Sequence, residues 1–173
     1  MATYTLISSN VLASSAASVT FSAIPATYTD LVLRLSLRTN NSGLNDSLSM
    51  IINSDTATNY SFRWLRGNGA AASSSSATSA SAFSSNAGGV NGDTSTANTF
   101  GSIELYIPSY TVSQNKPFSL MGVGENNATT AYMNPIAALW SNTSTITQLN
   151  FTPVSGTSFL SGSSFYLYGI SNA

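Results

Sequence analysis

The chain contains no histidine and no cysteine, and these two absences remove most familiar enzyme chemistry. Without imidazole there is no Ser-His-Asp triad and no ordinary general base. Without thiolate there is no cysteine nucleophile, zinc cluster or disulfide framework. Charge is also scarce: Lys, Arg, Asp and Glu make up 6% of the 173 residues, against roughly 25% in an ordinary soluble domain. The five basic residues (Arg34, Arg38, Arg63, Arg66 and Lys116) are scattered and the net charge is -1. No positive stripe for a phosphate backbone can form, which excludes nucleic acid as a partner. No apolar run approaches the roughly 20 residues of a membrane helix, and the first residues lack a basic n-region. The expectation is a product made in the cytoplasm, with no signal peptide and no membrane partner.

What replaces charge is Ser, Thr and Asn, which supply 70 residues and favour strands and turns over helix interiors. Hydrophobic residues still make up 42%, enough for a core in one domain spanning residues 1–173. Their spacing is that of strands with one buried face. Leu31, Leu33, Leu35 and Leu37 share one side of a run whose other side carries Arg34, Ser36 and Arg38. The same period recurs in 19–21, 48–52, 60–64, 103–107, 118–123, 130–133, 145–151 and 164–170. Turn signals such as Asn40-Asn41-Ser42-Gly43 and Gly67-Asn68-Gly69 separate the runs. This predicts about eight to ten antiparallel strands in a β-sandwich of jelly-roll type. Phe21, Leu33, Leu35, Met50, Phe62, Leu105 and Leu167 are the expected core. Pro25, Pro108, Pro117, Pro135 and Pro153 are expected at strand ends, where a missing N–H breaks no ladder.

One segment departs from the period. From Ala70 to Ser85 every residue except Phe83 is Ala, Ser or Thr, and glycine, serine and asparagine continue to Thr99. Residues 70–99 are read as a long low-complexity loop, either mobile or an arm ordered on a neighbouring subunit with Phe83 as its anchor.

The six carboxylates are the remaining source of chemistry. Asp46 and Asp55 flank one strand, as a glycosidase pair would, but both lie in turn sequences where Asp accepts backbone N–H groups. Asn91-Gly92-Asp93 and Asn45-Asp46 offer oxygens without the dense acidic pattern of a calcium loop. No catalytic, metal or cofactor residues are assigned. Aromatic residues are read as sheet and interface formers. The final run has Phe165 and Leu167 on one side and Tyr166, Tyr168 and Ile170 on the other, so both faces need cover.

Four stretches (Ser14–Phe21, Tyr28–Arg34, Thr99–Pro108 and Ser161–Ile170), together with Lys116-Pro117-Phe118 and Gly124-Glu125-Asn126-Asn127, resemble a family of small virion proteins from tailed phages of marine and aquatic bacteria. The resemblance covers almost the whole chain outside residues 70–98. It implies a non-enzymatic structural part of the virion, on the capsid exterior or the tail. Capsid decoration (cement), which clamps shell proteins such as the major capsid protein, is the first expectation. A tail or fibre component binding host-surface glycans is the second, and a free carbohydrate-binding module the third. Such proteins imply a homo-oligomer, with a trimer favoured by analogy. Phe83, Tyr106, Tyr166, Tyr168 and Ile170 are the candidate interface residues.

Overall fold

The computed structural model describes residues 2–85, 89–127 and 130–171. In chain order its strands are β1 (Thr3–Val11), β2 (Val19–Phe21), β3 (Asp30–Leu37), β4 (Asn45–Asp46), β5 (Leu48–Ile52), β6 (Tyr60–Gly67), β7 (Ala72–Ala80), β8 (Phe83–Ser84), β9 (Val90–Asn91), β10 (Gly101–Ile107), β11 (Lys116–Gly124), β12 (Tyr132–Trp140), β13 (Leu149–Pro153) and β14 (Ser164–Ser171). There is no helix among the described residues. An eight-stranded sheet runs β1-β14-β3-β10-β11-β12-β6-β7, a four-stranded sheet runs β2-β13-β5-β8, and β4 pairs with β9. Every strand-to-strand ladder is antiparallel. The all-β sandwich expected from the sequence is therefore present.

The alternating runs give the core its rows. Across the large sheet Leu167, Leu33, Leu105, Leu120, Ile136 and Trp64 lie opposite one another in register. Across the small sheet the matching row is Val19, Phe151, Met50 and Phe83. All seven residues expected in the core are buried. Phe83 meets Phe62 and Phe118 edge-on at 5.4 and 5.1 Å, a favoured aromatic geometry. The small sheet ends at β8. On β6 the Arg66 guanidinium stacks over the Trp64 and Tyr132 rings at 5.2 and 4.6 Å.

Residues 70–99 are not one loop. After the Asn68 turn, where its side chain accepts the Ala70 and Ala71 N–H groups, β7 pairs with β6 along nearly its whole length. Ladder hydrogen bonds form whatever the side chain, so an Ala/Ser run can hold an edge position without an apolar period to announce it. The segment then returns to the core through β8 and lies against the large sheet through β9. A Cβ on Gly101 would sit 2.1 Å from the Gly89 carbonyl, so only glycine admits that approach. Residues 86–88 of this segment lie outside the described residues.

Two further expectations are corrected. Pro135 is inside β12, not at a strand end. It lies opposite Met121 of β11, while the ladder to β6 skips it, running from Met133–Gly67 to Ile136–Trp64; its missing N–H falls in that gap. Arg38, expected on an open face beside Arg34, is buried. Its Nη1 donates to the carbonyls of Thr96 and Thr99 at 2.8 and 3.0 Å, and its Nη2 to those of Asp93 and Ser95 at 2.9 and 3.0 Å. Lys116 behaves alike: wholly buried, its Nζ donates to the carbonyls of Val112, Gln114 and Thr143. Burial holds its ammonium below the usual lysine range.

Candidate interaction surface

The inner face of the eight-stranded sheet is the core, so its outer face is where side chains remain available. One outer row runs Leu6, Tyr168, Val32, Tyr106, Ser119, Ala137, Arg63 and Ser76 from edge to edge. The next runs Ser9, Tyr166, Arg34, Glu104, Met121 and Pro135, with Leu65 and Ser74 paired beyond the gap. A third carries Ser102, Val123, Met133 and Gly67.

These rows divide the face into two halves. Toward β14 the tyrosines are half-buried against their neighbours. The Tyr106 hydroxyl donates to Asp30 at 2.9 Å, and the other Asp30 oxygen accepts the Ser109 N–H at 2.8 Å. Burial, aided by the Asp30 carboxylate, raises the Tyr106 phenol above its usual range. Arg34 and Glu104 form an ion pair at 2.7 Å, open to water and worth little. Toward β7 the face is apolar and open: Leu65 is 61% exposed, Met133 54%, Met121 40% and Val123 39%. Val123 and Met133 pair across β11 and β12, Leu65 and Met133 line a common hollow, and Leu65 and Met121 line a groove of about 750 Å³ that has Glu104 and Tyr106 on one side and Arg63, Ser74 and Ser76 on the other. Single exposed hydrophobics are ordinary, whereas a contiguous set marks a contact surface.

The structure separates the five candidate interface residues. Tyr106, Tyr166 and Tyr168 share the outer face. Ile170 is buried beneath its own chain, opposite Tyr4 and Asp30. Phe83 is fully buried in the core of its own molecule and cannot anchor an arm on a neighbour, because its aromatic contacts with Phe62 and Phe118 already fill that role internally. The sequence reading missed Leu65, Met121, Val123 and Met133. A signal for two of them was present: β11 is apolar on both sides, with Phe118 and Leu120 on one and Met121 and Val123 on the other, as β14 is.

The carboxylates raised for chemistry organise turns. Asp46 accepts the Thr39 hydroxyl at 2.9 Å and the N–H groups of Ser47, Ser155 and Gly156. Asp55 accepts Ala57 N–H, the Asn59 amide and the Trp140 indole N–H, at 2.9, 2.8 and 2.8 Å. The Asn59 bond is the main cause that holds its carboxyl below the usual range. Among the described residues no three acidic, histidine or cysteine side chains come together as metal ligands. Asn45 faces Asn91 across the β4–β9 pair, and the side-chain oxygens of both are buried without a hydrogen bond. Two neutral oxygens fall well short of calcium's set of six to eight.

A scan against protein-family models finds no match, and a search of curated proteins finds none either.

Proposed function

We propose that this chain is a non-enzymatic structural subunit of a tailed-phage virion, a capsid decoration protein that acts by covering its open sheet face against neighbouring shell proteins. The observation that carries this reading is the contiguous apolar set Leu65, Met121, Val123 and Met133 on the outer face. Such a set is poorly suited to water and well suited to a protein partner. The sparse charge agrees, since a surface with 11 ionisable acidic and basic residues has little repulsion to keep copies apart. In this reading the sandwich is a widened jelly roll. Its support is that β2, β3, β5, β6, β8 and β10 alternate between the small and large sheets, while hairpin strands extend the large one.

The test is copy number per particle, by quantitative mass spectrometry of purified virions. Copies in the hundreds are expected for a shell protein. A few to a few dozen would move it to the tail, and none would overturn the virion reading. The tail position with a glycan-binding groove is the second reading, and what favours it is Tyr106, Arg63 and Glu104 beside the apolar floor. Replacing Leu65 with Glu should leave the isolated fold intact, because that side chain is open, and abolish incorporation into particles.

A further inference from the structure

The eight-stranded sheet does not close on itself, and its two terminal strands are β1 and β7. Free edges present unpaired N–H and C=O groups, which proteins usually blunt with charge, proline, bulges or short length. Here both edges are long, nine residues each. Neither Thr3–Val11 nor Ala72–Ala80 contains a charged residue or a proline. Each carries one register shift, between Leu6 and Ser8 in β1 and opposite the Tyr60–Phe62 step in β7. The stretch Ala72–Ala77 stays in unbroken register with β6 and is therefore a regular template.

We propose that these edges pair with each other between copies, β1 of one molecule against β7 of the next, so that the sheet continues through the assembly. This rests on the reading of the chain as a structural subunit and names its partner as a second copy of itself. Three observations select β1 against β7 over like-with-like pairing. The first is direction. Eight strands in antiparallel sequence leave β1 and β7 pointing opposite ways, so a neighbour held in the same orientation brings its β1 antiparallel to β7, and the alternation continues. The second is size. On the outer face β1 carries Tyr4 and Leu6, 59% and 50% exposed, whereas β7 carries Ser74 and Ser76 beside the groove of Leu65 and Met121. Large side chains opposite small ones fill the cross-strand space and cover the groove. The third is what like-with-like pairing leaves behind: β7 against β7 would keep Tyr4 and Leu6 in water, and β1 against β1 would leave the groove open. The contact joins two different patches and is heterologous, so it builds a ring where the rotation closes; a trimer is one such ring.

The absence of cysteine makes the test clean in the full-length chain. Thr5 and Ser75 point to the same side of the sheet, opposite Gly169 and Trp64 respectively. Thr5→Cys is combined with Cys at Ser73, Ser75 or Ala77 in turn, the β7 positions on the same side of the sheet, to cover the registers that keep the faces matched. Under mild oxidation the expected result is intermolecular disulfides in at least one double variant, and in a mixture of the two corresponding single variants, but in neither single variant alone. A disulfide-linked dimer from Thr5→Cys or a β7 cysteine by itself would mean two-fold pairing and overturn the proposal. Oligomers by light scattering with no cross-link in any register would also overturn it, yet leave the structural-subunit reading standing. A monomer at high concentration would reject self-pairing, and the virion copy number would then decide the function separately. As a second arm, Ser75→Lys puts a charge on the exposed edge. It should lower the particle mass to that of the monomer without moving the unfolding midpoint. Retention of the full mass would count against the β7 edge.

Discussion

Removing the guanidinium of Arg38 tests how the segment after β9 is held. This side chain is 7% exposed and has no acidic partner among the described residues, since the only ion pair formed there is Arg34–Glu104. Its charge is balanced instead by four carbonyl dipoles, those of Asp93, Ser95, Thr96 and Thr99. A hydrogen bond to a charged group contributes roughly 1.5–3 kcal/mol net, and an unsatisfied buried acceptor costs about 1–3 kcal/mol. Four such terms would sum to an amount comparable with a whole domain's stability, so the sum is not the prediction. Water will reach some of them once the side chain is gone, and the contributions are not additive. Arg38→Ala is therefore expected to destabilise by about 3–5 kcal/mol, out of a total on the order of 5–15 kcal/mol.

For a chain of this length that corresponds to a fall in melting temperature of roughly 6–20 °C, at about 2–4 °C per kcal/mol. Urea unfolding followed by tryptophan fluorescence is the assay, with the slope unchanged and the midpoint lowered. Amide exchange should rise first in residues 91–99, where the lost bonds lie. Arg38→Lys separates charge from geometry. A lysine keeps the charge, but its compact ammonium has three donors and cannot span four carbonyls set around a planar fork. It should recover less than half of the loss. If Arg38→Ala leaves the midpoint within about 0.5 kcal/mol of the parent, the segment is held by something other than Arg38 and the reasoning fails.

Three further outcomes follow from packing and titration. Leu105→Ala, at the centre of the core row, should cost about 2–5 kcal/mol, whereas Leu65→Ala on the open face should stay within about 0.5 kcal/mol; equal effects in urea titrations would mean that the two faces are misassigned. Asp55 has a lowered carboxyl pKa, so its contribution is fully present above the unfolded value of 3.8 and is lost as pH falls through the lower folded value. Asp55→Asn should flatten the acid limb of stability against pH, and an unchanged limb would deny Asp55 that role. Tyr60, whose hydroxyl accepts the Ile52 N–H at 2.9 Å, is pushed up to about 12 by burial. A raised phenol contributes stability below its unfolded value, near 10, that is lost as pH climbs through about 12, so Tyr60→Phe should be less stable at neutral pH and show a shallower alkaline decline.

The sequence made legible what the side-chain period controls and left unseen what the backbone controls. Leu31, Leu33, Leu35 and Leu37 announce β3 because burial on one face requires apolar residues at every second position, and the structure buries all four. β7 gives no such sign. All its residues but Ala77 and Ala80 are exposed, and nothing in an Ala/Ser run distinguishes a ladder from a loop. Arg38 was hidden for a related reason. Strand alternation places it opposite the leucines, but whether that side meets water depends on the return of residues 93–99, a contact between segments far apart in sequence. Phe83 was recognisable as an anchor among small residues, though not whether the pocket receiving it belonged to its own chain or to another.

Scarcity of charge and openness of the sheet face have a common structural origin. Of the 11 ionisable acidic and basic residues, Arg38, Lys116, Asp30 and Asp46 are buried and, with the half-buried Asp55, hold loops by accepting or donating backbone hydrogen bonds. A buried ionised group in such a place cannot be exchanged for an apolar one without stranding the carbonyls or N–H groups it serves. What remains for the surface is a few residues, and two of those, Arg34 and Glu104, neutralise each other. Beyond that pair and Arg63, the outer face is left to Ser, Tyr, Val, Leu and Met, and the two sheet edges are left without charge. In a protein that acts alone, both features invite unwanted association. In a subunit whose faces and edges meet neighbours they are what the contact requires, because every charge at such a seam would have to be desolvated or paired. The residues that keep the loops in place and the residues that leave the surface bare are thus two sides of one allocation, and substituting lysine or glutamate on the groove floor should improve solubility and abolish assembly together.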